Sequence, residues 1–424
     1  MSGGSKPIEL NAGSLELAPF IRPDDTVVVG HNSAEPLTLT EALMAQQPTI
    51  GPLTTFMGLA VTSTFDPAKA PTMRYASFAA IGTTSKLSRA NRLSISPCHY
   101  SQLPELFASG KFRADVTLLS LSPPGPDGRM SLGTSHEYVI AAALRSRVVI
   151  AEVNEQMPFM FGAEIPDTLR IDAIVRTARQ LPQVAGPKFG DEERKIAALV
   201  AGMVPNGGTI QLGLGAVPDA IADGLTGHRH IGIHTGMLTE SIMPLVDAGV
   251  VDNNMKPFDR GVTVCGIYVG TDRFYRALDR NKIYANLPPS HTHAIATIAR
   301  IPNFISINTA IEVDLAGQVN SEIADGVYVG GTAGAVDYVR AAQLAPGGRS
   351  IMALLSTAKK GTVSRIVPKV STVTVAASDI DTVVTEYGVA ELKGVSLEER
   401  AKRMIAIAHP AFRESLASAA KQAI

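Results

Sequence analysis

The stretch that most constrains the fold is 207–245, GGTIQLGLGAVPDAIADGLTGHRHIGIHTGMLTESIMPL. Its short apolar runs at 209–212 and 230–234 are each followed by a turn that contains glycine. Residues 220–225 have helical composition, and 238–246 resumes a helical pattern. Short strands that alternate with helices predict a parallel sheet with crossover connections. Ligands bind beyond the carboxyl ends of the strands in such sheets, which is where both glycine turns fall.

Length and composition narrow the class of protein. A chain of 424 residues with 45% hydrophobic residues predicts two domains with packed cores. The net charge is -1, and no basic cluster is interleaved with aromatics, so we expect no nucleic-acid partner. Cys98 and Cys265 form no CxxC pair, which argues against a disulfide scaffold and fits a reducing cytosol. The sequence shows no signal-peptide pattern and no long apolar run, so we expect a cytoplasmic protein without a membrane span.

Two observations bear on the domain organisation. Residues 180–190 contain two prolines and two glycines and precede the charged run DEERK, which predicts domains at 1–188 and 189–424. In addition, the segment 27–43 resembles 210–225, with Pro36 and Pro218 each seven residues before a leucine. This echo favours two related halves that bring their glycine turns to one interface. The alternative is that unrelated strand–turn–helix units simply look alike.

Two glycine-rich turns are candidates for ligand contact. Gly213 and Gly215 suggest a dinucleotide motif, but Pro218 stands where its third glycine should be. The turn could instead offer main-chain N–H groups to an anion at a helix N-terminus, or it could be purely structural. The second turn is 330–334, GGTAG, which precedes a predicted helix and would let a substrate approach the main chain closely.

Histidines and carboxylates give weaker signals. The pairs His291/His293 and His228/His230 have no Asp, Glu or Cys at a familiar metal-ligand spacing, so we expect surface or core histidines and no metal site. No GxSxG nucleophile motif occurs. The remaining chemical groups are carboxylates on turns: Glu35, Glu137, Glu152, Glu240, Glu322 and Glu386.

Nearly the whole sequence resembles the acetyl-CoA hydrolase/transferase family, in the branch that includes 4-hydroxybutyrate and butyrate:acetate CoA-transferases. Several motifs carry the resemblance together, although none is specific alone. They are GHNSAEP (30–36), ADVTLLSLSPPGPDGRMSLGTSHE (114–137), VNEQMP (153–158), QLGLGAVPDAI (211–221), GIHTGM (232–237), GGTAGAVDYVRAA (330–342), STAKKGTVSRIVP (356–368), VVTEYGVAELKG (383–394) and AHPAFRE (408–414).

The resemblance implies an α/β fold of two similar domains of the class I CoA-transferase type, with mainly parallel sheets and the active site between the domains. It also implies a ping-pong reaction in which a glutamate forms a covalent glutamyl-CoA thioester. The expected partners are an acyl-CoA and a small carboxylic acid, and coenzyme A takes part as a substrate thioester, with no other cofactor. A homodimer or homotetramer is expected at the level of the family.

This sequence departs from the family pattern at the active site. The family's nucleophilic glutamate follows the threonine of the HT motif, whereas this chain has His234-Thr235-Gly236. The family usually has Gly-Gly-Gln where this chain has Ala333-Gly334-Ala335. A glycine at position 236 is expected to enlarge the pocket and to admit an acyl group or acid bulkier than acetate.

Three hypotheses therefore remain open. The chain is a CoA-transferase in which Glu240 or Glu35 supplies the carboxylate, an acyl-CoA hydrolase in which a carboxylate activates water, or a non-catalytic acyl-CoA binding or partner subunit. The first is our leading prediction, because so much of the family framework is retained, including Arg365 and Glu386. The predicted substrate-binding residues are Gly213, Gly215, His234, Thr235, Gly236, Met237, Gly330, Gly331 and Gly334.

Overall fold

The computed structural model describes residues 6–423, with the side chains of the last two of these left out, and its chain packs into two compact units. The first unit comprises the chain up to Ala185 together with Cys265–His291, and the second comprises Gly186–Val264 and the chain from Thr292 onward. The sequence-based division treats 1–188 and 189–424 as continuous domains. It lacks the return of Cys265–His291 to the first unit.

The first unit is built on an eight-stranded sheet in which every neighbouring pair is parallel. Strands buried on both faces form continuous apolar runs, and Thr26–Val29 and the fully buried Val116–Leu121 lie side by side at the centre. In spatial order the strands are Ile8–Leu10, Ala173–Thr177, Val148–Asn154, Val116–Leu121, Thr26–Val29, Leu53–Phe56, Met73–Ser77 and Leu93–Ile95.

Short helices connect these strands. The longest begins after Pro36, whose fixed φ suits a helix start, and ends at Gly51, which has a φ of 109°. The α-helices of this unit are Leu37–Ile50, Thr84–Arg89, Leu103–Ala108, Val139–Arg145 and Asp272–Leu278, with Pro289–Thr292 at the change of unit. Its 3₁₀ turns are Ala12–Ser14, Asn32–Ala34 and Tyr100–Gln102, and the short strands of its returning segment are Ile267–Val269 and Tyr284–Asn286.

The second unit contains a six-stranded sheet whose first five strands are parallel and whose last strand is antiparallel. In spatial order they are Gly232–Ile233, Thr209–Leu212, Phe304–Asn308, Arg349–Ala353, Thr382–Thr385 and Gly388–Glu391. The α-helices of this unit are Asp191–Ala201, Ala216–Gly224, Met243–Asp247, Ile295–Ile298, Ala335–Leu344, Leu397–Ile407 and Pro410–Ala423.

Small pairings and turns complete the second unit. Glu312–Asp314 pairs with Val319–Asn320 and Ile366–Val367, Ile323–Ala324 pairs with Val327–Tyr328, and Thr357–Ala358 pairs with Val363–Ser364. The 3₁₀ turns are Glu240–Ile242 and Ala377–Asp379. The strand Thr263–Cys265 spans the change from the second unit to the first.

The mixed α/β class with large parallel sheets is therefore confirmed, and the echoed segments have the same local architecture. In the first unit, the strand Thr26–Val29 is followed by a turn and the helix Leu37–Ile50, and the chain then enters a strand that pairs in parallel with the first one. In the second unit, the strand Thr209–Leu212 is likewise followed by a turn, the helix Ala216–Gly224 and a strand that pairs in parallel with it. None of the helices among residues 6–423 combines the length and the apolar character needed to cross a bilayer.

The predicted helix at 238–246 is wrong in its first half. Met237–Thr239 is a strand, Glu240–Ile242 is a 3₁₀ turn, and the α-helix begins only at Met243. Pro244 explains this start, because proline fits the first turn of a helix, where its missing N–H costs no hydrogen bond. This difference changes the surroundings of Glu240, which lies on a tight turn and not one helical turn along a continuous helix.

Candidate functional site

A buried polar network lies at the carboxyl ends of two central strands of the second unit. Gln211 Oε1 accepts hydrogen bonds from Ser306 Oγ at 2.8 Å and from Asn308 Nδ2 at 3.1 Å. Asn308 Nδ2 is also 2.9 Å from Ser306 Oγ. Fully buried polar groups need such partners, so this network fixes the strand ends from which the glycine turns emerge.

The turn that follows Thr209–Leu212 uses its glycines in different ways. Gly215 has a φ of 118° and open space around its missing Cβ, so the backbone conformation itself favours glycine there. Gly213 has only ordinary contacts around its missing Cβ, and its N–H donates to Ile307 O at 2.9 Å. Because the sheet already uses the N–H of Gly213, that group is not an anion donor in this structure.

His234 and Thr235 are both fully buried. Thr235 Oγ lies 3.2 Å from Leu212 O and 3.1 Å from Met237 O, and its N–H donates to Val264 O at 3.0 Å. The ring of His234 packs edge-on against Phe258 and Phe304. These contacts hold the turn in shape, which is a structural role for two residues that the sequence suggested as substrate contacts.

The space beside Gly236 is filled. A Cβ built on this buried glycine would lie 2.5 Å from Nε2 and 2.6 Å from Cε1 of His293, and 3.0 Å from the hydroxyl of Tyr338. Real Cβ atoms do not approach other atoms so closely, so glycine is required here by its neighbours. The expectation that Gly236 opens extra room for a bulky substrate is wrong in this structure, because an imidazole takes that room.

Gly334 lies against the same imidazole ring of His293. A Cβ on Gly334 would lie 2.6 Å from both Cδ2 and Nε2 of His293. The turn 234–237 and the turn 330–334, which are far apart in the sequence, therefore converge at the Nε2 edge of one imidazole.

His293 itself is buried and is held by its surroundings. Its Nδ1 lies 2.9 Å from Thr292 Oγ, and its ring centroid is 4.8 Å from that of Tyr338. The Tyr338 hydroxyl in turn donates to Thr292 O at 2.8 Å. Desolvation by burial lowers the pKa of His293 to about 3, so the ring is uncharged at neutral pH.

Part of the GGTAG stretch is committed to its own turn. The N–H groups of Gly330 and Gly331 donate to Glu322 O at 3.1 Å and to Ser321 O at 3.1 Å. A Cβ on Gly330 would overlap Ser321 O, so this glycine is required by a close approach of two main chains. A substrate that approaches the main chain of this stretch therefore finds the N–H groups of Gly330 and Gly331 already used by the turn.

Glu240 is a half-buried carboxylate at the start of the 3₁₀ turn Glu240–Ile242. Asp219 lies nearby and is more buried, and it accepts a hydrogen bond from Thr239 Oγ at 2.9 Å. Burial raises the pKa of Asp219, and the negative charge of Glu240 adds to the increase. Two carboxylates thus lie near the start of the 3₁₀ turn Glu240–Ile242.

Glu35, in the first unit, is almost fully buried. Its Oε1 accepts from Thr40 Oγ at 2.9 Å and its Oε2 from Thr62 Oγ at 2.5 Å. Burial raises the pKa of Glu35, and the hydrogen bonds from both threonines partly offset the increase. A buried carboxyl with both oxygens engaged is poorly placed to attack a substrate.

The other carboxylates noted in the sequence have structural partners. Glu152 accepts from the N–H groups of Thr38 and Leu39 at a helix start, and Glu386 accepts from the N–H of Ser356 at 2.8 Å and its Oγ at 2.5 Å. Glu137 is buried in contact with His31, and burial raises the pKa of Glu137 well above its usual range.

Arg365 lies beside Ser356 in the second unit, and the main-chain N–H of Arg365 donates to Ser356 O at 2.8 Å. Burial lowers the pKa of this arginine, and the charge of Glu386 partly offsets the decrease. Arg365 and Glu386, which the family resemblance counts as retained, thus share Ser356 as a neighbour.

Sequence reasoning missed His293, Asp219 and Tyr338. The only signal for His293 was its pairing with His291, which indicated a surface or core histidine. Burial is correct, but no local pattern shows that its ring lies against Gly236 and Gly334.

Comparison with known proteins identifies the family. The N-terminal domain of the acetyl-CoA hydrolase/transferase family matches residues 11–177, and its C-terminal domain matches residues 270–420. The 4-hydroxybutyrate coenzyme A transferase of Clostridium kluyveri is 39% identical over 338 residues, which is 79% of each chain. The chain therefore belongs to the acetyl-CoA hydrolase/transferase family, and the resemblance drawn from its motifs is confirmed.

Solved structures of relatives have the same fold. RipA from Yersinia pestis aligns with a TM-score of 0.89 at 32% identity over 96% of each chain. A 4-hydroxybutyrate CoA-transferase from Porphyromonas gingivalis aligns with a TM-score of 0.83 at 32% identity over 98% of each chain. An enzyme named acetyl-CoA hydrolase, from Yarrowia lipolytica, is also similar, with 28% identity over 65% of this chain and 50% of its own length.

Proposed function

We propose that this chain is an acyl-CoA:carboxylate CoA-transferase whose reacting carboxylate is Glu240 and not a residue at position 236. The observation that carries the proposal is the convergence of the turns 234–237 and 330–334 at one buried ring, with Glu240 four residues beyond Gly236. Membership of a family that contains named CoA-transferases supports the reaction class. The proposal treats Gly236 as the residue that stands in place of the family glutamate.

The chemistry is covalent catalysis by a carboxylate. The carboxylate of Glu240 attacks the thioester carbonyl, the C–S bond breaks, and CoA leaves as a thiolate from a mixed anhydride. The thiolate then attacks the glutamyl carbonyl, which releases the donor acid and leaves a glutamyl-CoA thioester. An acceptor carboxylate repeats both steps in reverse, so that it carries the CoA away, Glu240 is regenerated, and no net proton is consumed.

Glu240 is favoured over Glu35 because a nucleophile must be able to reach the substrate. Glu240 is half-buried on a turn, whereas Glu35 is buried with both carboxyl oxygens accepting threonine hydroxyls. Glu35 remains the second candidate. Gly215, Met237 and Gly334 are the proposed contacts for the substrate, since all three are partly accessible.

The test is CoA exchange by Glu240→Gln and Glu35→Gln. We expect Glu240→Gln to lower the rate of exchange from butyryl-CoA to acetate by at least about 10³-fold, while CoA binding measured by calorimetry is retained, because the amide keeps the shape and loses the nucleophile. The matched control is Glu312→Gln, a half-buried glutamate whose Oε1 accepts from Asn320 at 2.9 Å, a bond that glutamine can keep. Exchange at the wild-type rate in both test variants rules out both nucleophile assignments.

Hydrolysis of acyl-CoA is the second candidate function. An uncharged imidazole lies beside Gly236, and a carboxylate nearby could activate water in place of an acceptor acid. Release of free CoA without any added acid, at a rate that acetate does not change, would favour hydrolysis. Binding of CoA without exchange or release would leave a binding or partner protein.

A further inference from the structure

We propose that His293 is a steric block that decides which carboxylate of this site can react. Its ring occupies the space that any side chain at position 236 would need, so the reacting carboxylate has to come from elsewhere on the chain. The inference rests on the proposed function in one respect, which is that the enzyme forms a covalent thioester with CoA.

Two independent contacts define the block. The missing Cβ of Gly236 would lie 2.5 Å from His293 Nε2, and that of Gly334 would lie 2.6 Å from the same atom. Either contact alone could be a coincidence of one turn. Both together make positions 236, 293 and 334 a matched set, in which the ring fits only because two separate segments carry glycine.

The ring cannot easily turn away, because it is held at its other edge. Nδ1 lies 2.9 Å from Thr292 Oγ, and the ring packs against Tyr338, whose hydroxyl is bonded to Thr292 O at 2.8 Å. Interiors are close-packed, so a side chain added at position 236 has to displace this group of residues. A Cβ at 236 would also lie 3.0 Å from the tip of Tyr338, a contact that a small shift relieves once the imidazole is gone.

The block explains why restoring a glutamate at position 236 is not a simple reversal. In Gly236→Glu the new side chain and the imidazole compete for one volume. Removing the imidazole in the same molecule frees a volume similar to that of a glutamate side chain. The structure thus predicts that Gly236→Glu is productive only together with His293→Gly.

A double-mutant cycle on stability tests the steric claim without reference to activity. We expect Gly236→Ala to lower the melting temperature by about 3–10 °C in the wild-type background and by much less in the His293→Ala background. Gly334→Ala should behave in the same way and serves as the second variant if Gly236→Ala does not fold. The control is Gly224→Ala, whose Cβ would make ordinary contacts of 3.5 Å or more. Equal losses in both backgrounds, for either glycine, overturn the steric block.

Labelling tests the chemical claim. Gly236→Glu and Gly236→Glu/His293→Gly are each incubated with butyryl-CoA, and the glutamyl-CoA thioester is trapped with hydroxylamine and mapped by peptide mass. We expect a hydroxamate at residue 236 in the double variant and none there in the single variant. Equal labelling of residue 236 in both, or a stable double variant without label at 236, overturns the claim that the ring decides which carboxylate reacts. Failure of the proposed function appears separately, as absence of exchange by the wild-type protein, and leaves the stability cycle readable.

Discussion

Burial keeps two imidazoles of this chain uncharged. His31 and His293 are both buried, and desolvation lowers the pKa of each to about 3. In an unfolded chain these side chains titrate near 6.5, so between pH 6.5 and 3 the unfolded state binds more protons than the folded state. Each histidine therefore contributes stability that is fully present above pH 6.5 and that is lost as the pH falls toward 3, at about 1.4 kcal/mol per pH unit.

This linkage gives a prediction for His293→Gln. Relative to the wild type, the variant should lose less stability on acidification, with a difference of about 2 kcal/mol between pH 7.5 and pH 5, because glutamine takes up no proton. The measurement is the free energy of unfolding in urea at a series of pH values. Between pH 7.5 and 9 the gap between the two proteins should stay constant, which is the internal control. Parallel curves from pH 9 down to 5 would show that the imidazole is protonated as readily in the folded protein as in the unfolded one.

Only some of the individual residues around the ring of His293 could be identified from the sequence. Gly236 could be singled out because the family resemblance implies a glutamate at that position, and Gly334 because it lies in a stretch with three glycines in five residues. His293 could not, because the residues that give it meaning lie far away along the chain and only the fold brings them to its ring. Gly213 was singled out for an N–H that the sheet in fact uses.

Among the secondary-structure elements, the helix Leu37–Ile50 is capped by a carboxylate from a neighbouring strand. The helix Leu37–Ile50 starts after Pro36, which makes no side-chain cap. Glu152, on the strand Val148–Asn154, accepts from the N–H groups of Thr38 at 2.8 Å and Leu39 at 3.3 Å. A carboxylate at a helix N-terminus satisfies otherwise unpaired donors and complements the helix dipole. The contact therefore ties the first long helix to the sheet.

Removing this cap should destabilise the first unit. Glu152→Ala leaves buried N–H donors without a partner, which costs about 1–3 kcal/mol and lowers the melting temperature by roughly 2–10 °C. The comparison is Glu155→Ala, an exposed glutamate just beyond the same strand, for which we expect a change within about 0.5 kcal/mol. Equal melting temperatures for the two variants would mean that the Glu152 contact contributes nothing to stability.

Elements were the most predictable part of the chain. Apolar runs such as 209–212 gave strands with the correct bounds, since strands of parallel sheets are apolar on both faces. The helix prediction for 238–246 was wrong because the apolar spacing fits a helix throughout. The structure instead has the end of a strand, then a 3₁₀ turn, and then a short α-helix with Pro244 in its first turn. The error matters for function, because it concerns the residue proposed as the nucleophile.

For the molecule as a whole, the fold class and the family could both be predicted from the sequence. Parallel sheets in two compact units and two matching family domains confirm them. The packing of Cys265–His291 with the first unit was not predicted, since the sequence division used only the first of the three points at which the chain changes unit. The acyl group, the acceptor acid and a homo-oligomeric state stay predictions at the level of the family.

The mass of the intact protein after incubation with butyryl-CoA tests the proposed covalent mechanism most directly. We expect a covalent CoA adduct that hydroxylamine converts to a hydroxamate and borohydride to an alcohol. Both products should map to the peptide that contains Glu240, and Glu240→Gln should form no adduct. An unmodified protein with free CoA accumulating would contradict the account and indicate hydrolysis through water. An unmodified protein that binds CoA without releasing or exchanging it would contradict it as well, and would indicate a binding or partner subunit.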